Sequence, residues 1–334
     1  MADTVVVTGA NGHLGNNLVR SLLSRGRRVR ALVLGDCAAL AGLPLEILEG
    51  DILDQDFLLR AFSGAQVVYH TAGRISLLMN EWPEVEAVNV RGVRNVVRAC
   101  CDCKVERLIH YSSIHAYVQE PLHEVLDESR LLVTGAMPVP PYDRSKAEGE
   151  RLVRAAAARG LNAVVINPTG IIGPCDYGPS HFGGVLAALG RGGLPAMVGG
   201  GFDWVDVRDV VDASLRAEES AAAGARYLLS GRWISNRQLA AMVSEISGAR
   251  PPRWYAPLAL ARMVAPLATA WARARGKRAL LTSVALRDLQ GNRCISHARA
   301  AADLGYAPRP LRETLADTLS WLRQRETEGR RADP

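Results

Sequence analysis

Two residues near the middle of this chain stand at a spacing that could move a proton. The segment PYDRSK places Tyr142 and Lys146 four apart, and on a helix such residues share one face. A phenol near pKa 10 exchanges protons poorly at neutral pH, and a neighbouring ammonium favours the phenolate and turns it into a usable acid–base group. A second pattern, at the start of the chain, could hold a charged ligand. The run TVVVTGANGHLG carries Gly9, Gly12 and Gly15 directly after β-branched residues. A strand that passes through glycines into a helix gathers free N–H groups and a positive dipole end at one point, and a parallel sheet binds a pyrophosphate in this way. The spacing is Gly-x-x-Gly-x-x-Gly, not the Gly-x-Gly-x-x-Gly of the dinucleotide fingerprint.

These groups need a scaffold, and the pattern around them supplies one. Apolar, β-branched runs at 5–8, 29–34, 46–48, 67–70, 108–112 and 163–167 read as strands. Amphipathic stretches at 14–25, 54–61, 84–101 and 142–158 read as the helices between them. Strand–helix alternation with near-continuous apolar strands implies a parallel sheet covered on both faces. From residue 171 the chain turns irregular and rich in Gly and Pro. A helix at 206–217 and a strand at 226–230 follow, and the rest is mostly helical, ending in an amphipathic 311–325. The expected fold is α/β, a Rossmann-type doubly wound parallel sheet with a smaller, mostly helical C-terminal substrate domain. Residues 1–170 with 203–232 would form the dinucleotide-binding domain, and 171–202 with 233–326 the substrate-binding one.

The 334 residues are 48% apolar and 22% charged, ordinary for a soluble globular chain with room for a sizeable core. Forty Lys and Arg stand against 34 Asp and Glu, but the basic residues read as scattered and give nucleic-acid binding no footprint. Met1-Ala-Asp leads straight into a strand, so no signal peptide is expected. The longest apolar stretch, 256–272, is broken by Pro257, Arg262 and Pro266 and is too short for a membrane span. The six cysteines lack metal-ligand spacing and read as the reduced thiols of a cytoplasmic protein, with no metal site. Trp233, Trp254 and Trp271 read as core or interface aromatics.

Eight collinear segments carry a resemblance: TGANGHLG, GDILD, VVYHTAG, NVRGVRNVV, IHYSSIHAY, PYDRSKAEGE, NPTGIIGP and VDVRDVVDA. Together they resemble the extended short-chain dehydrogenases/reductases, the NAD-dependent epimerase/dehydratase superfamily, in its dihydroflavonol reductase-like branch. The resemblance implies a catalytic Ser113, Tyr142 and Lys146. Ser113 would hydrogen-bond the reacting oxygen, Tyr142 would exchange its proton, and Lys146 would tune the tyrosine and orient the nicotinamide ribose. Gly9, Asn11, Gly12, His13, Leu14 and Gly15 would wrap the pyrophosphate. Asp51 and Ile52 would border the adenine, and Thr71, Ala72 and Gly73 would pass beneath the ribose and nicotinamide. Pro168 and Thr169 would offer backbone groups to the carboxamide, and Asn89 would tie its helix to the strands near the site. Where NAD-preferring relatives carry an acid and NADP-preferring ones an arginine one residue later, this chain has Val33 and Leu34, with Asp36 beyond. The choice stays open, leaning to NADP(H) over NAD(H).

On the substrate side His115, Tyr177, His181, Phe182 and Trp204 are the candidates. Stretch 257–275 would form an amphipathic helical pair covering the pocket. The function implied is hydride transfer between a nicotinamide and a ketone, aldehyde or secondary alcohol of a fairly apolar small molecule. A nucleotide-sugar epimerase with retained NAD is one alternative, and a non-catalytic NAD(P) sensor is another. A homodimer through the helices at 84–101 and 142–158 is expected.

Overall fold

The first strand, β1 (Thr4–Thr8), shows how the pattern becomes architecture. Val5 and Val7 point into one apolar cluster and Val6 into another. Side chains alternate along a strand, so two fully apolar faces mean layers on both sides. The computed structural model describes residues 4–178, 180–275 and 281–332. The three residues on which the leader expectation rests lie outside that range.

Five more strands follow: β2 (Arg28–Val33), β3 (Glu46–Glu49), β4 (Val67–His70), β5 (Arg107–Tyr111) and β6 (Ala163–Pro168). Then come β7 (Gly170–Ile172), β8 (Ala196–Val198), β9 (Gly201–Asp206), β10 (Arg226–Leu229), β11 (Arg232–Ser235) and β12 (Trp254–Ala256). Seven of these form one parallel sheet in the order β10-β6-β5-β4-β1-β2-β3. The connections reverse direction between β1 and β4, and the carboxyl ends of the strands there form the crevice in which open α/β sheets bind ligands.

The helices fill the two faces. On one lie α1 (His13–Ser24), α7 (Val207–Ser220) and α11 (Ala298–Leu304), through Leu18, Leu22, Val210, Leu215 and Leu304. On the other lie α2 (Gln55–Phe62), α4 (Val93–Asp102) and α5 (Pro141–Ala157), through Leu58, Phe62, Val96 and Val153. Asp54 and Asp206, expected as first helical residues, instead cap α2 and α7 with their carboxylates, because a carboxylate serves an exposed N–H better than a helix interior.

The single helix expected at 84–101 is three pieces: α3 (Trp82–Glu86), a π-helical stretch Ala87–Gly92, and α4. A π-turn inserts one residue, and here it turns Asn89 inward. Gly92 lies so close to Ile52 that a Cβ would come within 2.5 Å of its Cδ1.

The region read as irregular holds real structure. Strands β7, β9 and β11 form a second sheet, and α6 (His181–Gly190), α8 (Asn236–Ser247) and α12 (Leu311–Ala332) pack on it through Leu186, Leu239, Val243 and Leu315. Strands β8 and β12 pair alone. The remaining pair is α9 (Leu258–Ala274) and α10 (Ser283–Asp288), joined through Ala261, Ala265 and Leu286. The tryptophan expectation fails for Trp254 and Trp271, whereas Trp233 is half-buried. Trp254 is 74% and Trp271 56% exposed, and α9 turns Leu260, Met263, Val264 and Leu267 outward beside Trp271. Arg275 stacks over that indole, 4.2 Å from its centroid. Among the described residues no helix is long and apolar enough to cross a membrane.

Candidate active site

Three segments meet at the carboxyl edge of the large sheet. Strand β5 ends at Tyr111 and continues extended through Ser113, which accepts a hydrogen bond from the His115 amide at 3.2 Å. Pro141 opens α5 with Tyr142 second and Lys146 one turn on. Lys146 Nζ donates to the Tyr111 carbonyl at 2.9 Å. The loop after β4 completes the meeting, since a Cβ on Gly73 would lie 3.3 Å from Lys146 Nζ and 3.4 Å from Asn89 Oδ1. Asn89 Oδ1 accepts from the Arg74 amide, and its Nδ2 donates to the Arg74 carbonyl and to Ser145 Oγ, locking this loop to α5.

The structure brings Ser113, Tyr142 and Lys146 together, with electrostatics that differ from the expectation. Burial pushes the Tyr142 phenol up, the neighbouring Ser113 side chain opposes it, and the charges of Asp143 and Asp288 add to the rise. The Lys146 ammonium is bonded to the Tyr111 carbonyl instead of the phenol, so the predicted lowering is not present in this state. Burial lowers Lys146 itself to about 8, against the pull of Glu150. Below it His70 and His110 stack 5.4 Å apart, both buried and both neutral at physiological pH, with His70 lowered to about 3. Ser112, the neighbouring serine, is buried; its amide donates to the Ile166 carbonyl at 2.8 Å, and its hydroxyl has no partner among the described residues.

The glycine loop is a cradle in the geometric sense. Gly9 has φ +66°, and its Cβ would come 2.7 Å from the Ala72 backbone, a conformation and a clearance open only to glycine. A Cβ on Gly15 would meet the Gly9 carbonyl at 2.3 Å. Gly12 is the N-cap of α1, with no side-chain cap and no acid in the first turn; its own amide donates to the Gly9 carbonyl, and the first-turn amides beyond it face outward as an anion site. Thr71 Oγ1 ties the β4 loop to the Thr8 carbonyl at 2.6 Å. These residues fit a dinucleotide's pyrophosphate.

The other nucleotide candidates lie along the same edge with narrower options. Asp51 Oδ1 accepts from the Leu53 amide, and Ile52 is buried with its carbonyl bonded by Asn95. The Thr169 amide donates to the Leu229 carbonyl at 3.1 Å. His13 Nε2 and Asn17 Nδ2 reach the Pro174 carbonyl, and Asn16 the Cys175 carbonyl, strapping the 173–178 loop to α1. At the end of β2, Val33 is buried and Leu34 67% exposed. Asp36 turns its carboxylate onto the Ala38 amide, and Arg30 is held by Glu46 and the Ala61 carbonyl.

Of the substrate candidates, Phe182 and Trp204 join an aromatic cluster with Phe202, their centroids 4.7–5.6 Å apart. Phe202 lies 6.4 Å from His115, which lies 6.2 Å from the Tyr142 ring. Tyr177 does not join them. Its hydroxyl accepts from Arg20 on α1, and its ring meets Trp321 on α12. His181 is the first residue of α6. Sequence reasoning missed Asp143, Asp288 and Phe202. Only Asp143 had a local signal, its place directly after Tyr142.

Known proteins are similar to this chain in family, sequence and fold. The family model for the NAD dependent epimerase/dehydratase family matches residues 5–229. Sterol demethylase protein B of Methylococcus capsulatus is 35% identical over 96% of this chain and 99% of its own length. A 4-hydroxy-2-methyl-3-oxo-4-farnesyl-3,4-dihydroquinoline-1-oxide ketoreductase of Stigmatella aurantiaca is 29% identical over 94% of each chain. The crystal structure of gox2253 superposes with a TM-score of 0.83 at 32% identity, covering 97% of this chain and 98% of that one. The doubly wound sheet, the glycine cradle at its crevice and these matches agree, and the chain belongs to the NAD dependent epimerase/dehydratase family.

Proposed function

We propose that the protein is a nicotinamide-dependent reductase/dehydrogenase acting on a ketone, aldehyde or secondary alcohol of a fairly apolar small molecule. The observation that carries the reading is the convergence of Ser113, Tyr142 and Lys146 on the edge that holds the glycine cradle. When bound there, the nicotinamide supplies a hydride in reduction and accepts one in oxidation. Tyr142 holds the proton at its phenolic oxygen, and a phenol pushed up by burial is a proton donor at neutral pH. Ser113 steadies the substrate oxygen whose charge changes. Lys146, beside Gly73, stands where a ribose hydroxyl and the loop after β4 would meet. The aromatic cluster of Phe182, Phe202 and Trp204 suits an apolar substrate body. The named ketoreductase relative, whose substrate carries an oxo group and a farnesyl chain, supports the same direction.

For the cofactor the reading favours NADP(H), because Val33 at the end of β2, followed by exposed Leu34, leaves no carboxylate there to repel a 2′-phosphate. Residues 1–170 with 203–232 are proposed as the nucleotide unit, and 171–202 with 233–326 as the substrate unit. A homodimer through the helical stretches 84–101 and 142–158 goes with it. The test is reduced-nicotinamide absorbance during incubation with apolar ketones. Steady consumption supports a reductase. Conversion of a nucleotide sugar without net consumption favours the family's epimerase activity instead.

A further inference from the structure

Helix α9 is apolar on a face that nothing in the fold covers. Of its 17 residues only Arg262, Thr269 and Arg273 are polar. One face packs Ala261 and Ala265 against Leu286 of α10. Another carries Leu260, Met263, Val264, Leu267 and Trp271, each between 44% and 74% exposed. Their spacing of i, i+3, i+4, i+7 and i+11 makes one continuous stripe along the helix. Single exposed apolar residues are ordinary, but a contiguous stripe marks a contact surface.

Charge identifies what covers the stripe. Residues 246–287 hold eight Lys and Arg and no Asp or Glu. The whole chain has a net charge of +6, so this stretch carries all of the basic surplus and the remainder is slightly acidic. Arg253, Arg262 and Arg275 are exposed within it. Arg262 also bonds Gln290 Oε1, and Arg275 lies over the Trp271 ring. A second copy fits this face poorly. An isologous contact would bring two such stretches together with no acid in either to pair the cations. An anionic lipid surface fits on both counts, because the stripe can enter the acyl boundary while the cations meet phosphates. A tryptophan with an arginine beside it suits the level between the two. The helix is shorter than the roughly 20 apolar residues of a span, and α10 holds its alanine face, so it would lie flat.

We propose that α9 docks the protein on an anionic membrane surface, in the plane of the interface, with the stripe from Leu260 to Trp271 immersed in lipid. Docking sets α10 beside the bilayer. The last residue of α10, Asp288, lies 3.8 Å from His115, whose ring stands edge-on to Tyr142. One short helix therefore separates the docked face from the candidate active site. The docking surface does not depend on the reductase reading and stands if that reading fails.

The test is co-sedimentation of the purified full chain with sucrose-loaded vesicles in about 0.1 M salt. One set is phosphatidylcholine alone, and the other holds an equal part of phosphatidylglycerol. Wild type partitions at least tenfold more strongly onto the anionic set. Met263→Ser combined with Leu267→Ser weakens that partition at least tenfold. Both side chains are exposed, so the thermal unfolding midpoint stays in place. Arg275→Gln weakens it about fivefold. Acyl-chain-brominated lipid quenches the tryptophan fluorescence of wild type, and quenches that of Trp271→Phe less. No binding to anionic vesicles overturns the proposal. Binding that the paired serine substitutions leave unchanged overturns it too, since that is adsorption by charge alone. Failure to bind vesicles, together with a wild-type dimer that the same pair dissociates in ultracentrifugation, gives the face to a second copy instead. Failure without a dimer gives it to an acidic protein.

Discussion

Lys146 is a buried charge whose removal has a consequence that can be worked out in advance. Its Nζ bonds a backbone carbonyl, and Glu150 is the charge that compensates it. Burial lowers its pKa from 10.5 to about 8, which corresponds to about 3 kcal/mol of native-state cost at neutral pH. In the folded chain the proton leaves near 8, and in the unfolded chain near 10.5. Between those values the unfolded state binds more protons, so stability rises with pH. Below the window the whole cost is present, and above it none. Lys146→Met keeps the length and packing of the side chain and removes the charge. Glu150, which keeps Arg226 and Asn167 as partners but loses the Lys146 charge, offsets part of the gain. The variant is therefore more stable than wild type by about 1–3 kcal/mol near neutral pH, and the gap closes as pH rises through the window. Turnover is lost at the same time. Urea unfolding followed by tryptophan fluorescence, repeated from neutral to alkaline pH, measures both the gap and its slope. A variant no more stable than wild type, or a gap that stays constant with pH, refutes the reasoning.

Tyr142→Phe removes the proton donor and lowers kcat by about 10²–10⁴ in a protein that still folds and takes up nucleotide, checked by steady-state kinetics and calorimetry. Gly9→Ala forces a Cβ to 2.7 Å from the Ala72 backbone at a left-handed φ, so it costs about 1–2 kcal/mol in conformation alone and weakens nucleotide binding at least tenfold. Leu34→Arg places a guanidinium one residue past the end of β2, where NADP-preferring relatives carry an arginine, and shifts the NADPH-to-NADH preference further toward NADPH by about tenfold or more, read as a ratio of dissociation constants. Because burial raises the Tyr142 phenol, alcohol oxidation accelerates as pH climbs through the alkaline range, while carbonyl reduction needs no deprotonation and holds level near neutral pH.

The sheet was legible because its strands are apolar on both faces. Runs such as VVVT and VVYH leave no polar side to put in water, which identifies a covered parallel sheet before any contact is known. Helix ends were less legible. Asp54 and Asp206 read as helix starts, yet each lies just outside its helix as a cap. The π-turn at Ala87–Gly92 has no sequence period of its own; the inward bonds of Asn89 to Arg74 and Ser145 hold it. The glycine loop and Tyr142 with Lys146 are local motifs and could be read as such. The approach of Asp288 to His115 could not, since Asp288 stands 173 residues further along the chain and meets it only through the packing of α10. Trp254 and Trp271 were misread for the opposite reason. Their apolar character implied burial, but β12 and α9 turn them outward.

The most direct measurement is calorimetric titration of the purified protein, confirmed free of retained nucleotide, with NADPH and NADH separately, and of Gly9→Ala in parallel. The account predicts that wild type binds a reduced nicotinamide dinucleotide at one site per chain, NADPH the more tightly, and that the variant binds at least tenfold more weakly. Binding of neither nucleotide by wild type would contradict the claim that the glycine edge of this sheet exists to hold one.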